Sequence, residues 1–465
     1  MSMGRGEIMD LSVERMSNGG SGLARCDGMV VFVPGGIAGD RLRVAVTRKK
    51  KEYAEARILE VLSPSPFRIK TPCIHLPGCG GCQWQHIDYG AQLAFKKTIV
   101  EECMERVAGI KGIPVKDVIP SPREFHYRNK MEFSFSDRKW LPSFQRGDQR
   151  DGEGFALGLH VPGTFSKVID IEECILLPKQ GSSILQKIKA LVARTGIPVY
   201  GLKSHKGFWR FLTLRHSNTF DNWMVNVVTS DEVWGSLDPI AEDLGREFPS
   251  ISTFVHTINS RKAAIAVGER ERVLSGEGYL VDKIGQWTFR VSASSFFQTN
   301  TGAAKILYDT VANFAGLTGS EYVLDLYSGT GTIPIYLSDG AAGITGMEIN
   351  DKAVLDARIN CETNRVHNCR FVCGDIKSLL EGIKSKPSVV IIDPPRSGMH
   401  KDVAVAIAAL QPGRMVYVSC NPATMGRDLA LLSSSYEICE IQPVDMFPHT
   451  HHVECVVRMK SRLQG

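Results

Sequence analysis

The stretch Asp325-Leu-Tyr-Ser-Gly-Thr-Gly-Thr332 decides the fold of the C-terminal third of this 465-residue chain. It follows the apolar, strand-like run Tyr322–Tyr327 and leads into a helical pattern. Glycines at a strand-to-helix turn let the backbone come close to a ligand. The next apolar run ends in Gly346-Met-Glu348, setting a carboxylate 23 positions beyond Asp325, where an acid can meet ribose hydroxyls. Pro334 stands where a dinucleotide loop has its third glycine, so an adenosyl ligand without pyrophosphate fits better. A glycine turn of any α/β sheet, holding no ligand, is the plainer alternative. The runs Gly343–Ile349, Ser388–Asp393 and Arg414–Ser419 alternate with helical patterns at Thr301–Phe314 and Lys352–Asn364. That alternation predicts a mainly parallel, doubly wound sheet.

Two further segments end strands of this sheet, and open sheets bind ligands beyond the carboxyl ends of their strands. In Asp393-Pro-Pro-Arg396 the fourth residue can only donate hydrogen bonds. It suits a base rich in carbonyls, such as uracil, better than one presenting an exocyclic amine. Val416-Tyr-Val-Ser-Cys420-Asn-Pro422 supplies a thiol. Uracil C5 is too weak a nucleophile to take a methyl group unaided; a thiolate adding at C6 turns the ring into an enolate whose C5 is competent. The C5 proton must then leave, which calls for a base. Cys420 is the candidate nucleophile. Glu454, closing Pro448-His-Thr-His-His-Val-Glu454 ahead of the strand-like Cys455–Val457, is the candidate acceptor. The bland alternatives are an inert buried thiol and a histidine–carboxylate metal site, although the spacing is not the helical H-E-x-x-H.

Upstream, residues 6–62 read as short alternating strands (Met29–Val33, Arg41–Val46, Tyr53–Ile58) broken by glycine turns, which predicts a small closed barrel. Between Arg41 and Arg57 lie seven cations and two acids, an excess equal to the +5 of the whole chain. A polyanion contact and a solvated hairpin tip explain this equally well. Ser63–Pro66 marks a boundary. A helix is expected over about 89–107, with apolar Leu93, Ile99, Val100 and Met104. Residues 120–290 read as strand-rich (Lys130–Ser136, Ala156–His160, Phe211–Leu214, Met224–Thr229), with a basic, aromatic-flanked Tyr127-Arg-Asn-Lys130. The domain expectation is 1–62, 63–288 and 289–465. No apolar run suggests a membrane span and the first residues lack a signal-peptide core, so a cytoplasmic location is expected. Twelve cysteines in such a chain suggest metal or catalytic roles over disulfides.

The chain resembles the RNA 5-methyluridine methyltransferase family. The motifs that carry the likeness are Phe296-Phe-Gln-Thr-Asn300, Asp325–Gly331, Asp393-Pro-Pro-Arg-Ser-Gly398, Ser419-Cys-Asn-Pro422 and the segment ending at Glu454, in family order. Residues 6–62 resemble a TRAM domain, an OB-like barrel that contacts RNA, and the middle resembles the family's α+β central domain. The resemblance implies a multidomain protein with a C-terminal Rossmann-like, S-adenosylmethionine-dependent methyltransferase domain. It implies Cys420 as nucleophile, Glu454 as proton acceptor, and Gln298, Tyr327, Thr332, Glu348 and Asp393 around S-adenosylmethionine. The family often has Asn at the Thr332 position and Cys at that of Ser328.

The same resemblance implies that Cys73, Cys79, Cys82 and Cys174 hold a [4Fe–4S] cluster; zinc is the rival for four thiolates. RNA is the implied partner, with no membrane and no obligatory protein partner. The barrel, the cluster cysteines and Ala156-Leu-Gly-Leu-His-Val-Pro-Gly163 most resemble the branch acting on 23S ribosomal RNA. Transfer RNA at the T-loop uridine is the alternative, and a non-catalytic RNA-binding protein with a methyltransferase fold is the alternative of another class. A uracil in folded RNA must leave its stack to reach Cys420.

Overall fold

A computed structural model describes residues 4–141, 154–231, 237–383 and 385–462. The chain divides into two compact units: Met1–Ile74, Cys82–Ser121 and Ile391–Gly465 form one, His75–Gly81 and Pro122–Val390 the other.

The first unit opens with β1 (Ile8–Met16), β2 (Gly22–Cys26), β3 (Met29–Val33), β4 (Arg41–Lys49) and β5 (Tyr53–Ser63), closed into a barrel in the order β1-β2-β3-β5-β4. Alternation explains closure: Leu11, Val13, Val31, Val33, Leu42, Val44 and Val46 all point inward. The cations at the β4–β5 turn, Lys49, Lys50 and Lys51, are exposed. Arg43 is tied instead to Asp10 and Glu60, each at 3.0 Å. Helix α1 (Tyr89–Arg106) starts at Asp88, whose side chain accepts from the Ala91 amide. Its stripe is not purely apolar, because Gln92 and Lys96 are buried beside Ile99, Val100 and Met104.

The second unit begins with β6 (Lys130–Ser136), β7 (Ala156–His160), β8 (Val168–Asp170), α2 (Lys179–Thr195), β9 (Trp209–His216), β10 (Trp223–Thr229), α3 (Asp238–Glu247), β11 (Ile251–Ile258) and β12 (Arg270–Ser275). The strands form one sheet in the order β12-β11-β10-β9-β6-β7-β8, parallel only between β10 and β11. The hairpin β13 (Tyr279–Ile284) and β14 (Trp287–Ser292) follows.

The C-terminal part comprises α4 (Thr301–Ala315), β15 (Tyr322–Leu326), α5 (Thr332–Leu337), β16 (Gly343–Glu348), α6 (Asp351–Asn364), β17 (Cys369–Cys373), α7 (Ile376–Glu381), β18 (Val389–Ile392), α8 (Lys401–Leu410), β19 (Arg414–Ser419), α9 (Pro422–Leu432), β20 (Tyr436–Val444) and β21 (Glu454–Ser461). In the second unit its strand order is β17-β16-β15, and in the first it is β19-β21-β20. In the second unit β15, β16 and β17 run parallel; in the first, β21 runs antiparallel to both β19 and β20. The strands of the second unit are therefore parallel where helices intervene, and β20 and β21 of the first are antiparallel where a short connection turns the chain straight back. In the first unit α1 packs on α9 at Gly426, where an added Cβ would come within 3.1 Å of the Cys103 carbonyl.

Candidate active site

In the second unit the turn after β15 has the close-approach backbone expected of it. Tyr327 takes a positive φ of 64° and Gly331 one of 77°. A Cβ at Gly331 would meet Phe371 at 2.7 Å and Ala357 at 3.0 Å, while one at Gly329 would meet nothing within 4 Å. The loop is thus tight on its inner side and open at its tip. Glu348 is oriented by two backbone amides, Gly329 N at 3.0 Å and Asn350 N at 2.9 Å, one to each carboxylate oxygen. Each oxygen keeps lone-pair capacity for a ribose hydroxyl. Ser328 Oγ is buried with no hydrogen-bond partner among the described residues. The open tip, the oriented acid and this uncommitted hydroxyl fit an adenosyl ligand. The Thr332 hydroxyl lies 2.9 Å from that of Tyr308.

The Phe296–Asn300 segment is held by residues that no sequence motif marks for this role. Asn129 Nδ2 donates to the Gln298 carbonyl at 2.9 Å and to Thr301 Oγ1 at 2.8 Å. Buried Arg215 donates to the carbonyls of Ala293 and Ser295, and burial lowers its pKa to about 10. The Tyr127–Lys130 cluster therefore contributes a clamp through the Asn129 carboxamide, not through its cations. No periodicity could have signalled that. Gln298 itself is buried.

In the first unit Asp393, Arg396, Cys420 and Glu454 are brought together. Cys420 follows the last residue of β19, and Glu454 is the first of β21, whose Cys455 pairs with Ser419. Burial pushes the Cys420 thiol up to about 11, with Glu454 and Asp393 raising it further. The charge of Arg396 and its hydrogen bond to the thiol oppose that rise. Burial, then Asp393, pushes Glu454 up to about 8 against Arg396, and burial alone takes Asp393 to about 6. The Glu454 side chain makes no hydrogen bond among the described residues, so its carboxyl is uncommitted. A cavity of about 170 Å³ is lined by Asn18, Arg396, Cys420, Asn421, Pro422, His451, His452 and Val453.

The loop before Glu454 is pinned by α1. Buried Gln92 accepts from the His449 amide at 2.8 Å and contacts its Nδ1 at 3.2 Å, while Gln83 and Trp84 amides donate to the His449 carbonyl. His449 has a φ of 66°, so this backbone is held in a conformation that needs support. Its histidine belongs to this clamp. Among the described residues no three His, Cys, Asp or Glu side chains assemble into a metal-holding group. Cys79 and Cys82 are buried, and Cys73 and Cys174 half-buried, none of them in a disulfide. Gly81 N donates to Cys79 Sγ at 3.3 Å and Gln85 Nε2 to Cys82 Sγ at 3.2 Å, a polarity that suits thiolates.

A barrel followed by a nucleotide-type α/β sheet with a thiol and a carboxyl at its strand ends defines a TRAM protein with a C-terminal methyltransferase fold. Comparison with known proteins agrees. A TRAM model matches residues 4–59, and the model described as tRNA (Uracil-5-)-methyltransferase matches residues 263–462. A Chlorobaculum tepidum protein named as an uncharacterized RNA methyltransferase is 37% identical over 97% of this chain and 96% of its own. One from Porphyromonas gingivalis, named likewise, is 39% identical over 97% and 98%. The solved Pyrococcus abyssi tRNA (uracil-54, C5)-methyltransferase, in complex with S-adenosyl-L-homocysteine, is 28% identical with a TM-score of 0.75, covering 97% of this chain and 100% of that one. The chain belongs to the RNA methyltransferase family of these relatives, and its C-terminal residues 263–462 match the tRNA (Uracil-5-)-methyltransferase model.

Proposed function

We propose that the protein methylates uracil C5 in RNA, with Cys420 as nucleophile and Glu454 as proton acceptor. The observation carrying this is the grouping of a thiol and Arg396 on the wall of one cavity with a buried carboxyl, Glu454, whose raised pKa feels Arg396 and which in turn acts on the Cys420 thiol. S-Adenosylmethionine supplies an electrophilic methyl group, and Gln298, Tyr327, Thr332, Glu348 and Asp393 would hold it. Arg396 favours the thiolate of Cys420, which adds to C6 and leaves C5 electron-rich. After C5 is methylated, Glu454 takes its proton, the C5–C6 double bond re-forms and the thiolate leaves. A carboxyl whose burial has raised its pKa is a stronger proton acceptor than an ordinary one once ionised.

Fluorine cannot leave as a proton, so RNA containing 5-fluorouridine tests this. With S-adenosylmethionine it should trap a covalent protein–RNA adduct that Cys420→Ala abolishes. An adduct that survives this substitution sinks the mechanism.

Within RNA, 23S ribosomal RNA is our preferred substrate, on the resemblance of the barrel, the cysteine set and Ala156–Gly163. Transfer RNA is the second reading, favoured by the full-length likeness to the archaeal tRNA enzyme. Mass spectrometry of both RNA classes from cells with and without the gene separates them. We further propose that residues 1–62 grip RNA, that 63–288 form the central domain, and that 289–465 carry the chemistry in the cytoplasm. Cys73, Cys79, Cys82 and Cys174 would hold a [4Fe–4S] cluster in a structural role, supported by the two N–H donors on sulfur. Anaerobically purified protein should contain iron and sulfide; stoichiometric zinc in their place refutes the cluster.

A further inference from the structure

The turn between β1 and β2 belongs to the barrel in sequence, yet it forms a wall of the cavity that contains Cys420. Its shape is locked from within: Ser17 N donates to the Ser21 carbonyl at 2.8 Å, Gly20 N to the Ser17 carbonyl at 2.9 Å, and Ser17 Oγ again to Ser21. It is locked from outside as well, because the indole of fully buried Trp84 donates to the Gly20 carbonyl at 2.8 Å. Gly20 has a φ of +81°, and a Cβ there would lie 2.8–2.9 Å from the His451 ring. Only glycine lets the turn press this closely on the segment leading to Glu454.

The pressed turn presents Asn18 to the cavity. Its carboxamide makes no hydrogen bond among the described residues. The other lining carboxamide, Asn421, is spent: its Nδ2 donates to the Arg396 carbonyl and its Oδ1 accepts from the Ala423 amide, both at 3.2 Å. Arg396 can only donate. The Watson–Crick edge of uracil alternates acceptor, donor, acceptor, so a donor-only arginine leaves N3–H without a partner. A free carboxamide offers both an acceptor and a donor, the pair that edge requires. At about 170 Å³ the cavity is on the scale of a single base.

We propose that Asn18 is a specificity-determining residue that hydrogen-bonds the edge of the uracil delivered to Cys420, making the N-terminal barrel part of the base pocket. With Arg396 fixed as a donor, cytosine would set its exocyclic amine against a cation. This inference rests on the uracil-C5 reading.

The test compares wild type, Asn18→Leu, which keeps the shape but loses the hydrogen bonds, and Asn18→Gln, which restores the carboxamide. The probe is bulk RNA containing 5-fluorouridine, and the readout is the rate of adduct formation with S-adenosylmethionine present. Asn18→Leu should react roughly 10–100-fold more slowly, as expected when a site built for hydrogen bonds loses one or two. Asn18→Gln should recover part of the rate, and both variants should keep wild-type thermal stability and affinity for S-adenosylhomocysteine. An Asn18→Leu rate within twofold of wild type overturns the inference, and so does an Asn18→Gln rate no better than that of Asn18→Leu. A wild type that forms no adduct instead refutes the underlying uracil reading.

Discussion

Lys96 donates to Asp445 at 2.6 Å, and neither side chain reaches solvent. Lys96 also reaches the Phe447 carbonyl at 3.2 Å, while Asp445 accepts from the Tyr89 hydroxyl and the Phe447 amide. A buried charge pair between Lys96 of helix α1 and Asp445, just past β20, thus anchors the start of the loop that ends at Glu454. Such a pair is costly to desolvate, and burial lowers the Lys96 pKa against the pull of Asp445.

Removing one partner strands the other. Lys96→Met should destabilise the protein by about 3–5 kcal/mol, and the double variant Lys96→Met/Asp445→Asn by clearly less. Urea unfolding of the four members of the cycle measures this. Additive losses would mean the pair is not coupled.

The pH dependence follows from two raised pKa values. Raising the pH ionises Glu454 through about 8 and Cys420 toward about 11, and both ionised forms are the active ones. The kcat/KM for RNA should therefore climb from pH 6 to pH 9 with no plateau near neutrality. A profile that is flat over this interval contradicts the assignment.

Glu454→Gln should separate stability from activity. Between the unfolded carboxyl pKa and about 8 the folded chain holds a proton that the unfolded chain releases, so wild-type stability falls as the pH rises through this window. Above it the full cost of the buried charge is felt. At pH 9 the Gln variant should be the more stable by roughly 2–5 kcal/mol, shrinking toward pH 5. With ordinary RNA it should also accumulate a covalent adduct, since the C5 proton has no acceptor. Denaturation at the two pH values and gel analysis of the RNA reaction check both halves.

Gly331→Ala pairs a strained φ with a Cβ inside van der Waals contact of Phe371 and Ala357. The loop has to shift, so affinity for S-adenosylhomocysteine should drop at least about tenfold, with a stability loss of roughly 1–3 kcal/mol. Calorimetric titration reads the first and thermal unfolding the second.

Much of this was legible in the chain itself because its signals are local. Alternating Leu11–Val13, Val31–Val33 and Leu42–Val46 announce the barrel, and the helix proposed at about 89–107 stands at Tyr89–Arg106. The antiparallel course of β20 and β21 was not legible: only Cys455–Val457 read as a strand, since Tyr436–Val444 lacks the continuous apolar run of its neighbours. Nothing local marks Gln92 and Lys96 as buried members of the helix, because their partners His449 and Asp445 are some 350 residues away in sequence.

By itself the sequence determined which groups the chemistry has available: the Asp325–Thr332 turn, Arg396, the Cys420 thiol after a strand, and Glu454. Residue type and position relative to a strand end are local properties, so they survive without coordinates. Tertiary structure decided how those groups are tuned and walled. Burial beside Asp393 and Arg396 sets the ionisation of Cys420 and Glu454, and a tight glycine approach brings Asn18 of the barrel to the cavity that Cys420 lines. Desolvation and close packing depend on what the distant chain brings near, and no local pattern encodes them.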